Sequence, residues 1–281
     1  MERNTSLHPP QATLVVDLFP ELLNELLSLL SALSAADWRR PTACPGWSVK
    51  DVALHLLGDE IGNLSWRRDG FSLEPSISSW GQLVRDVNRR NQDWVRGAQR
   101  LSPRLLIDLL ELTGLQMNDH FQTLDPFSQG GSVSWAGPHP APVWLDLARE
   151  YTERWHHQQH IRDAVGKPGL KEPRYMAPVI SAFIWALPRA YRSSHVSENT
   201  SVTLTITGES GGRWSVIYKS GEWKLYQGAP DQPDAEVILD QDAAWRLFTC
   251  GLKRDAARKQ LSLKGDHSLG LKVLGMVAII A

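Results

Sequence analysis

Apolar residues recur at helical spacing through most of this chain and give way to strict alternation in one later stretch. From about residue 11 to 35, Leu, Val and Phe repeat with a helical period, interrupted by Asp17, Glu21 and Glu25. A second helix is predicted from Ser48 in CPGWSVKDVALHLLGDEIGNLSWRRDG. Ser48 is a good N-cap, and Asp51 three residues later completes a capping box. SSWGQLVRDVNRRNQDWVRGAQRLSP and PRLLIDLLELTGLQMNDHFQTL read as two further helical segments, with Pro103 near the start of the second. The Gly, Ser and Pro content of DPFSQGGSVSWAGPHPAP predicts a loop. VWLDLAREYTERWHHQQHIRDAV is then one long helix, stopped by GKPG.

Beyond that stop the pattern changes. YMAPVISAFIWALPRAYRSS predicts one more helix. TSVTLTITGE, RWSVIYKSGEWKLYQG and DAEVILD alternate apolar with polar residues around the turns GESGG and KSGE, the signature of hairpin strands. QDAAWRLFTCGL and DHSLGLKVLGMVAII return to helical spacing. The predicted fold class is therefore α plus α+β: a helical domain over residues 1–168, then a small α+β domain over 169–281.

Composition narrows the function classes. The 281 residues are 42% hydrophobic and 22% charged, with a formal net charge of −1. That balance gives no reason to expect a nucleic-acid or anionic-membrane partner. GLKRDAARK contains Asp255 and reads as a solvated helix face. Cys44 and Cys250 lie too far apart to suggest a disulfide framework, which suits a reducing cytoplasm, and two cysteines cannot make a Cys-only zinc site. The apolar N-terminal stretch is broken by acids, so an amphipathic helix is expected there and not a signal peptide or a span.

The candidate chemistry lies in EYTERWHHQQHIRD. At about 100° per residue, Glu153, His157 and His160 fall within roughly 60° of arc, with His156 at one edge. Trp144, Tyr151 and Trp155 lie on the opposite side. Two readings stand. The wheel favours a solvated polar face; the other is a ligand site, with the stripe lining an interdomain cleft. His55 shows the same placement on the second helix, between Asp51 and Asp59 and opposite Val49, Ala53, Leu56, Leu57 and Leu64. Two imidazoles and a carboxylate would hold Zn²⁺ with a position open for water or substrate, and would also suit Fe(II), Ni or Mn. Glu-x-x-x-His alone occurs by chance in many helices. Cys44 stands just before a helix, a placement that lowers a thiol pKa, although a small residue packed in a turn is the commoner case. Gly-x-Ser-x-Gly, Gly-x-Gly-x-x-Gly, Walker and Cys-x-x-Cys motifs are absent.

WRRPTACPGWSVKDVALHLLGDE resembles the opening of the mycothiol-dependent maleylpyruvate isomerase family, within the DinB-like superfamily, in its Pro-Gly-Trp turn, its capped helix and the histidine one turn in. EYTERWHHQQHIRDAVGKP is similar to that family's last bundle helix. VTLTITGE, DAEVILDQDAAWRLFTCG and LKGDHSLGLKVLG resemble the sterol-carrier-like α+β domain that often follows it. The resemblance implies a DinB-like four-helix bundle followed by that domain, in a cytoplasmic bacterial enzyme, monomeric or homodimeric. It implies His55, Glu153 and His157 as metal ligands, choosing His157 over His156 by the Glu-x-x-x-His spacing. His160 is left as an accessory group or an extra ligand, and the additional histidines depart from the family pattern. The implied cofactors are a divalent metal, zinc foremost, and a low-molecular-weight thiol such as mycothiol, held as thiolate. That thiolate would add to the cis double bond of maleylpyruvate, allow rotation, and leave to give fumarylpyruvate; S-transfer to another electrophile is the related outcome. Arg246, in AAWRLF, is the candidate cation for a small carboxylate substrate, although a solvated helix arginine is the commoner case. The rival expectations are a metal-dependent hydrolase with water in the open position, and a non-catalytic protein that binds metal or an apolar ligand.

Overall fold

The computed structural model describes residues 7–71 and 80–278. They form two compact units. One comprises Val15–Asp125 and Glu150–Leu170; the other comprises the segment up to Leu14, Pro126–Arg149 and the chain from Lys171 onward. The sequence predicts a single break at 168/169, whereas the units divide the chain at four places. No described helix is long and apolar enough to cross a membrane.

The first unit is helical. It contains α1 (Phe19–Ser31), α2 (Val49–Asn63), α3 (Trp80–Gly97), α4 (Pro103–Gln122) and residues 150–165 of α5 (Val143–Val165). Helix α1 starts later than the apolar pattern suggests. Pro20 is tolerated in the first turn, but a helix continued upstream would set its ring against the carbonyl four residues back. Phe19, Leu22, Leu23, Leu26, Leu29 and Leu30 then bury one stripe of α1. Helix α2 opens with the predicted capping box: Asp51 Oδ2 accepts from the Ser48 N–H at 2.8 Å, and Ser48 Oγ accepts from the Asp51 N–H. It is buried nearly all round, by Val49, Val52, Ala53, Leu54, Leu56 and Leu57 on its apolar sides and by His55, Glu60 and Asn63 on its polar one. Helix α4 packs on α1 and α2, and α3 packs on α2. At the α2–α3 contact Gly58 has no side chain, so the Trp94 indole lies against the helix and donates to the Leu54 carbonyl at 2.7 Å. Helix α5 joins α1 through Gln158, which donates to the Leu22 carbonyl at 2.7 Å, and through the Phe19–Tyr151 ring pair.

The second unit carries a five-stranded sheet in the order β5-β4-β3-β6-β7. A small hairpin precedes it, β1 (Gln129–Ser132) with β2 (Pro140–Pro142). The sequence suggests a loop there, because Gly and Pro mask any alternation. The main sheet comprises β3 (Ser201–Thr207), β4 (Gly212–Lys219), β5 (Glu222–Gln227), β6 (Ala235–Asp240) and β7 (Ser262–Gly265). Pairing is antiparallel except between β3 and β6. Val202, Leu204 and Ile206 alternate with Thr203, which is also buried because its hydroxyl meets Ser215 Oγ at 2.9 Å. The single predicted helix over 175–194 is instead α6 (Pro173–Phe183), a 3-10 turn and α7 (Leu187–Tyr191), since Pro188 suits a new helix start and not a helix interior. Helix α8 (Gln241–Phe248) packs on α6, β3 and β6. Residues 7–14 belong to this unit: His8 and Gln227 exchange backbone hydrogen bonds at 3.0 and 2.8 Å.

The cap of α2 sets the start of the helix that carries His55. Ser48→Ala is expected to lower stability by about 1 kcal/mol. It should appear as a lower urea midpoint with an unchanged slope.

Candidate metal centre

Helices α2 and α5 present their polar stripes to each other. His55 Nε2 lies 3.1 Å from Glu153 Oε1, and His157 Nε2 lies 3.0 Å from the same oxygen. The two imidazole rings meet edge to face with centroids 4.6 Å apart. His55 and His157 are buried, at 6% and 7% exposure, and the Glu153 side chain is half-buried at 24%. Trp47, from the turn before α2, stacks against His55 and donates from Nε1 to Gln92 at 3.2 Å. The expectation of a solvated α5 face therefore fails. The wheel assumes one packed side, but Tyr151 and Trp155 bury the apolar side and α2 with its preceding turn covers the polar one. Trp155 donates to the Leu170 carbonyl at 2.7 Å, so the segment after α5 folds back on the helix.

Burial alone would raise the Glu153 carboxyl, but the charge and hydrogen bond of His157, with those of His55, hold it well below the usual carboxylate range. Burial works against a charged His55, yet the Glu153 hydrogen bond and the Glu153 and Asp59 charges raise its pKa overall. Burial prevails at His157, which is lowered despite Glu153. His156 is held well below its ordinary value by burial and by the neighbouring His157 and His160. The site is thus a carboxylate shared by two imidazoles, with His55 the more basic of the pair.

One turn further along both helices the polar seam continues as a carboxylate–arginine cluster. Arg154 donates to the Glu150 carboxylate at 3.0 Å, lies 3.7 Å from Asp59 Oδ2 and 3.9 Å from Glu60 Oε1, and stacks on Phe19 and Phe121. Asn63 donates to Glu150 at 3.1 Å, and Arg67 reaches Glu150 at 3.4 Å and Asn63 at 2.7 Å. The carboxyls of Asp59, Glu60 and Glu150 thus face the guanidiniums of Arg67 and Arg154. Burial pushes Glu60 up to about 7 against the Arg154 charge and the 2.5 Å hydrogen bond from Thr113. Burial and the Glu150 charge push Asp59 up to about 6.

The donors fit a divalent ion. An ion held tetrahedrally at about 2.1 Å separates its ligand atoms by about 3.4 Å. The His55–Glu153 and His157–Glu153 spacings are close to that, and the donor atoms of all three residues lie within 4.8 Å of one another. The family model described as the mycothiol maleylpyruvate isomerase N-terminal domain matches residues 19–162. The chain belongs to that family. Two solved structures share the fold of this mycothiol maleylpyruvate isomerase family member. They are the mycothiol-dependent maleylpyruvate isomerase, at TM-score 0.50 and 14% identity, and its histidine-to-alanine variant, at 0.52 and 13%. Each alignment covers 89% of this chain and 91% of the other. A search of the curated proteins finds no matching relative.

Of the residues singled out in the sequence, the structure brings His55, Glu153 and His157 together. Arg246 lies on α8 in the sheet-bearing unit, half-buried, with its guanidinium 4.3 Å from the Trp245 ring centroid. His156 packs against His157 and His160, with ring centroids 4.6 and 4.2 Å away. The sequence reading missed the partner of Cys44, whose Sγ lies 3.0 Å from His160 Nδ1. Nor is its pKa lowered by the helix that follows: burial pushes the thiol up to about 11, and the Glu153 charge adds to that. The signal was the position of Cys44 in the same turn as Trp47.

The cluster has a readable pH signature. Glu60 titrates near 7 in the folded chain against its ordinary 4.5, so between those values the native state binds more protons than the unfolded state. Its contribution to stability therefore falls as pH rises through that window, by at most about 1.4 kcal/mol per pH unit. Glu60→Gln should flatten this slope in urea midpoints measured from about pH 5 to about pH 8.

Proposed function

We propose that this family member is an enzyme that uses a divalent metal, held by His55, Glu153 and His157, together with a low-molecular-weight thiol. The observation that carries the reading is the convergence of two buried imidazoles from different helices on one carboxylate oxygen. A divalent cation bound there would supply Lewis acidity, deprotonating a thiol at its open position. His55 and His157 would serve as neutral donors, and Glu153 would offset one unit of the cation's charge. Trp47 walls the His55 side and limits water.

The reaction class comes from the family. The named relatives are mycothiol-dependent maleylpyruvate isomerases, and the proposed chemistry here is cis–trans isomerisation of such a substrate by thiolate addition, bond rotation and elimination, or S-transfer to a related electrophile. The atoms balance for isomerisation, because the thiol that adds is the thiol that leaves. Arg246 is proposed to pair with a substrate carboxylate through its planar guanidinium.

Metal analysis of untagged protein should find near-stoichiometric divalent metal, zinc foremost, and His55→Ala and His157→Ala should each lose it together with activity. Unchanged metal content in both variants sinks the ligand set. Conversion of maleylpyruvate should require added mycothiol, whereas turnover without any thiol would point to metal-bound water and hydrolysis. Arg246→Ala should raise KM for the carboxylate substrate roughly tenfold or more, the scale of one lost charged hydrogen bond.

A further inference from the structure

A second set of donors gathers in the helical unit beside the first. The ligating atoms of Cys44, His157 and His160 all lie within 4.8 Å of one another, and the Cys44 Sγ to His160 Nδ1 distance is 3.0 Å. The thiol is held in place by its own turn. The Cys44 N–H donates to Thr42 Oγ1 at 3.2 Å, the Thr42 hydroxyl donates to the Trp47 carbonyl at 2.9 Å, and the Trp47 N–H returns to the Cys44 carbonyl at 3.0 Å. Gly46 closes the turn at φ +77°, a conformation that favours glycine. His157 and His160 stand one helical turn apart on α5, and both are buried. A further observation bears on His157: its Nε2 faces Glu153, while its Nδ1 is buried and makes no hydrogen bond among the described residues. An unsatisfied buried ring nitrogen is costly, and a bound cation is one way to satisfy it.

We propose that Cys44, His157 and His160 form a second metal position, for a thiophilic cation such as Zn²⁺ or Cd²⁺, that shares His157 with the His55–Glu153–His157 set. One thiolate and two imidazoles make a softer donor set than two imidazoles and a carboxylate, and so prefer softer cations. On binding, the Cys44 proton is released to solvent and no redox change occurs. The proposal goes beyond the functional reading above and stands without it, because it concerns where a cation binds and not what is turned over.

The test is titration of the full chain with Cd²⁺ and Co²⁺ in a Cys250→Ser background, so that Cys44 is the only thiol. Saturation should bring up a sulfur-to-metal charge-transfer absorption in the ultraviolet. Cys44→Ser should abolish that band, and His160→Gln should weaken the binding that produces it by more than about tenfold. His55→Ala, outside the sulfur set, should retain it. Metal uptake with no sulfur band would overturn this proposal while leaving the first metal set intact. A band unaffected by His160→Gln would also overturn it. A readout that needs no substitution at the site is alkylation of Cys44, followed by mass spectrometry. Saturating Cd²⁺ should slow alkylation at least severalfold, and an unchanged rate would count against the proposal.

Discussion

The helical unit depends on how one carboxylate is satisfied. Glu153 sits between two helices where burial disfavours its charge, and two imidazoles, one from each helix, share a single one of its oxygens. A buried charge must be paired or coordinate a cation, since leaving it alone costs several kcal/mol or more. The pairing fixes more than protonation. It sets the register of α2 against α5, because His55 is the partner from the other helix and a one-residue shift of α2 would turn it out of reach of that oxygen.

The same constraint explains the neighbouring cluster. Asp59 lies four residues after His55, and Glu150 and Arg154 flank Glu153, so the helical repeat carries the seam directly from the His55–Glu153–His157 group into the arginine network. Arg154 is held from two sides, by carboxylates at its nitrogens and by the Phe19 and Phe121 rings at its faces. Such a network adds little net stability compared with an apolar core, but it penalises any misregistered packing that leaves one charge unpaired. Its value to the site is positional: it fixes the next turn of both helices and thereby the approach of His55 to His157.

Much of this was legible in the sequence, and the reason differs by element. The start of α2 was legible because capping is local: Ser48 and Asp51 are three residues apart and their geometry follows from the helix itself. The strands β3, β4, β5 and β6 were legible because alternation is local too. The proposed ligand set emerged only when two segments about a hundred residues apart were set side by side through a family resemblance. The helical wheel of α5 gave the opposite answer about burial, since a wheel knows nothing of a second helix with a matching polar stripe. Strand β7 was not read as a strand because SLKG is too short to show a period. The late start of α1 followed from Pro20, a local signal that the longer apolar pattern overrode.

Cys44 shows where local reading ends. Its turn could be read from the sequence, but its partner is 116 residues away. Once both sets of donors are in view, His157 becomes the decisive residue, because a neutral imidazole has a single nitrogen lone pair to give. A cation on the His55–Glu153 side uses that pair and denies it to the Cys44–His160 side, and the reverse holds equally. The two positions therefore compete, and the outcome follows the softness of the cation and the protonation of the thiol. A hard ion such as Mn²⁺ gains nothing from sulfur and stays with the carboxylate, whereas a soft ion gains the thiolate and gives up Glu153. A protein that uses an external thiol on the first position would thus carry an internal thiol able to draw a soft cation away from it, so its activity would depend on which metal it meets and not only on how much.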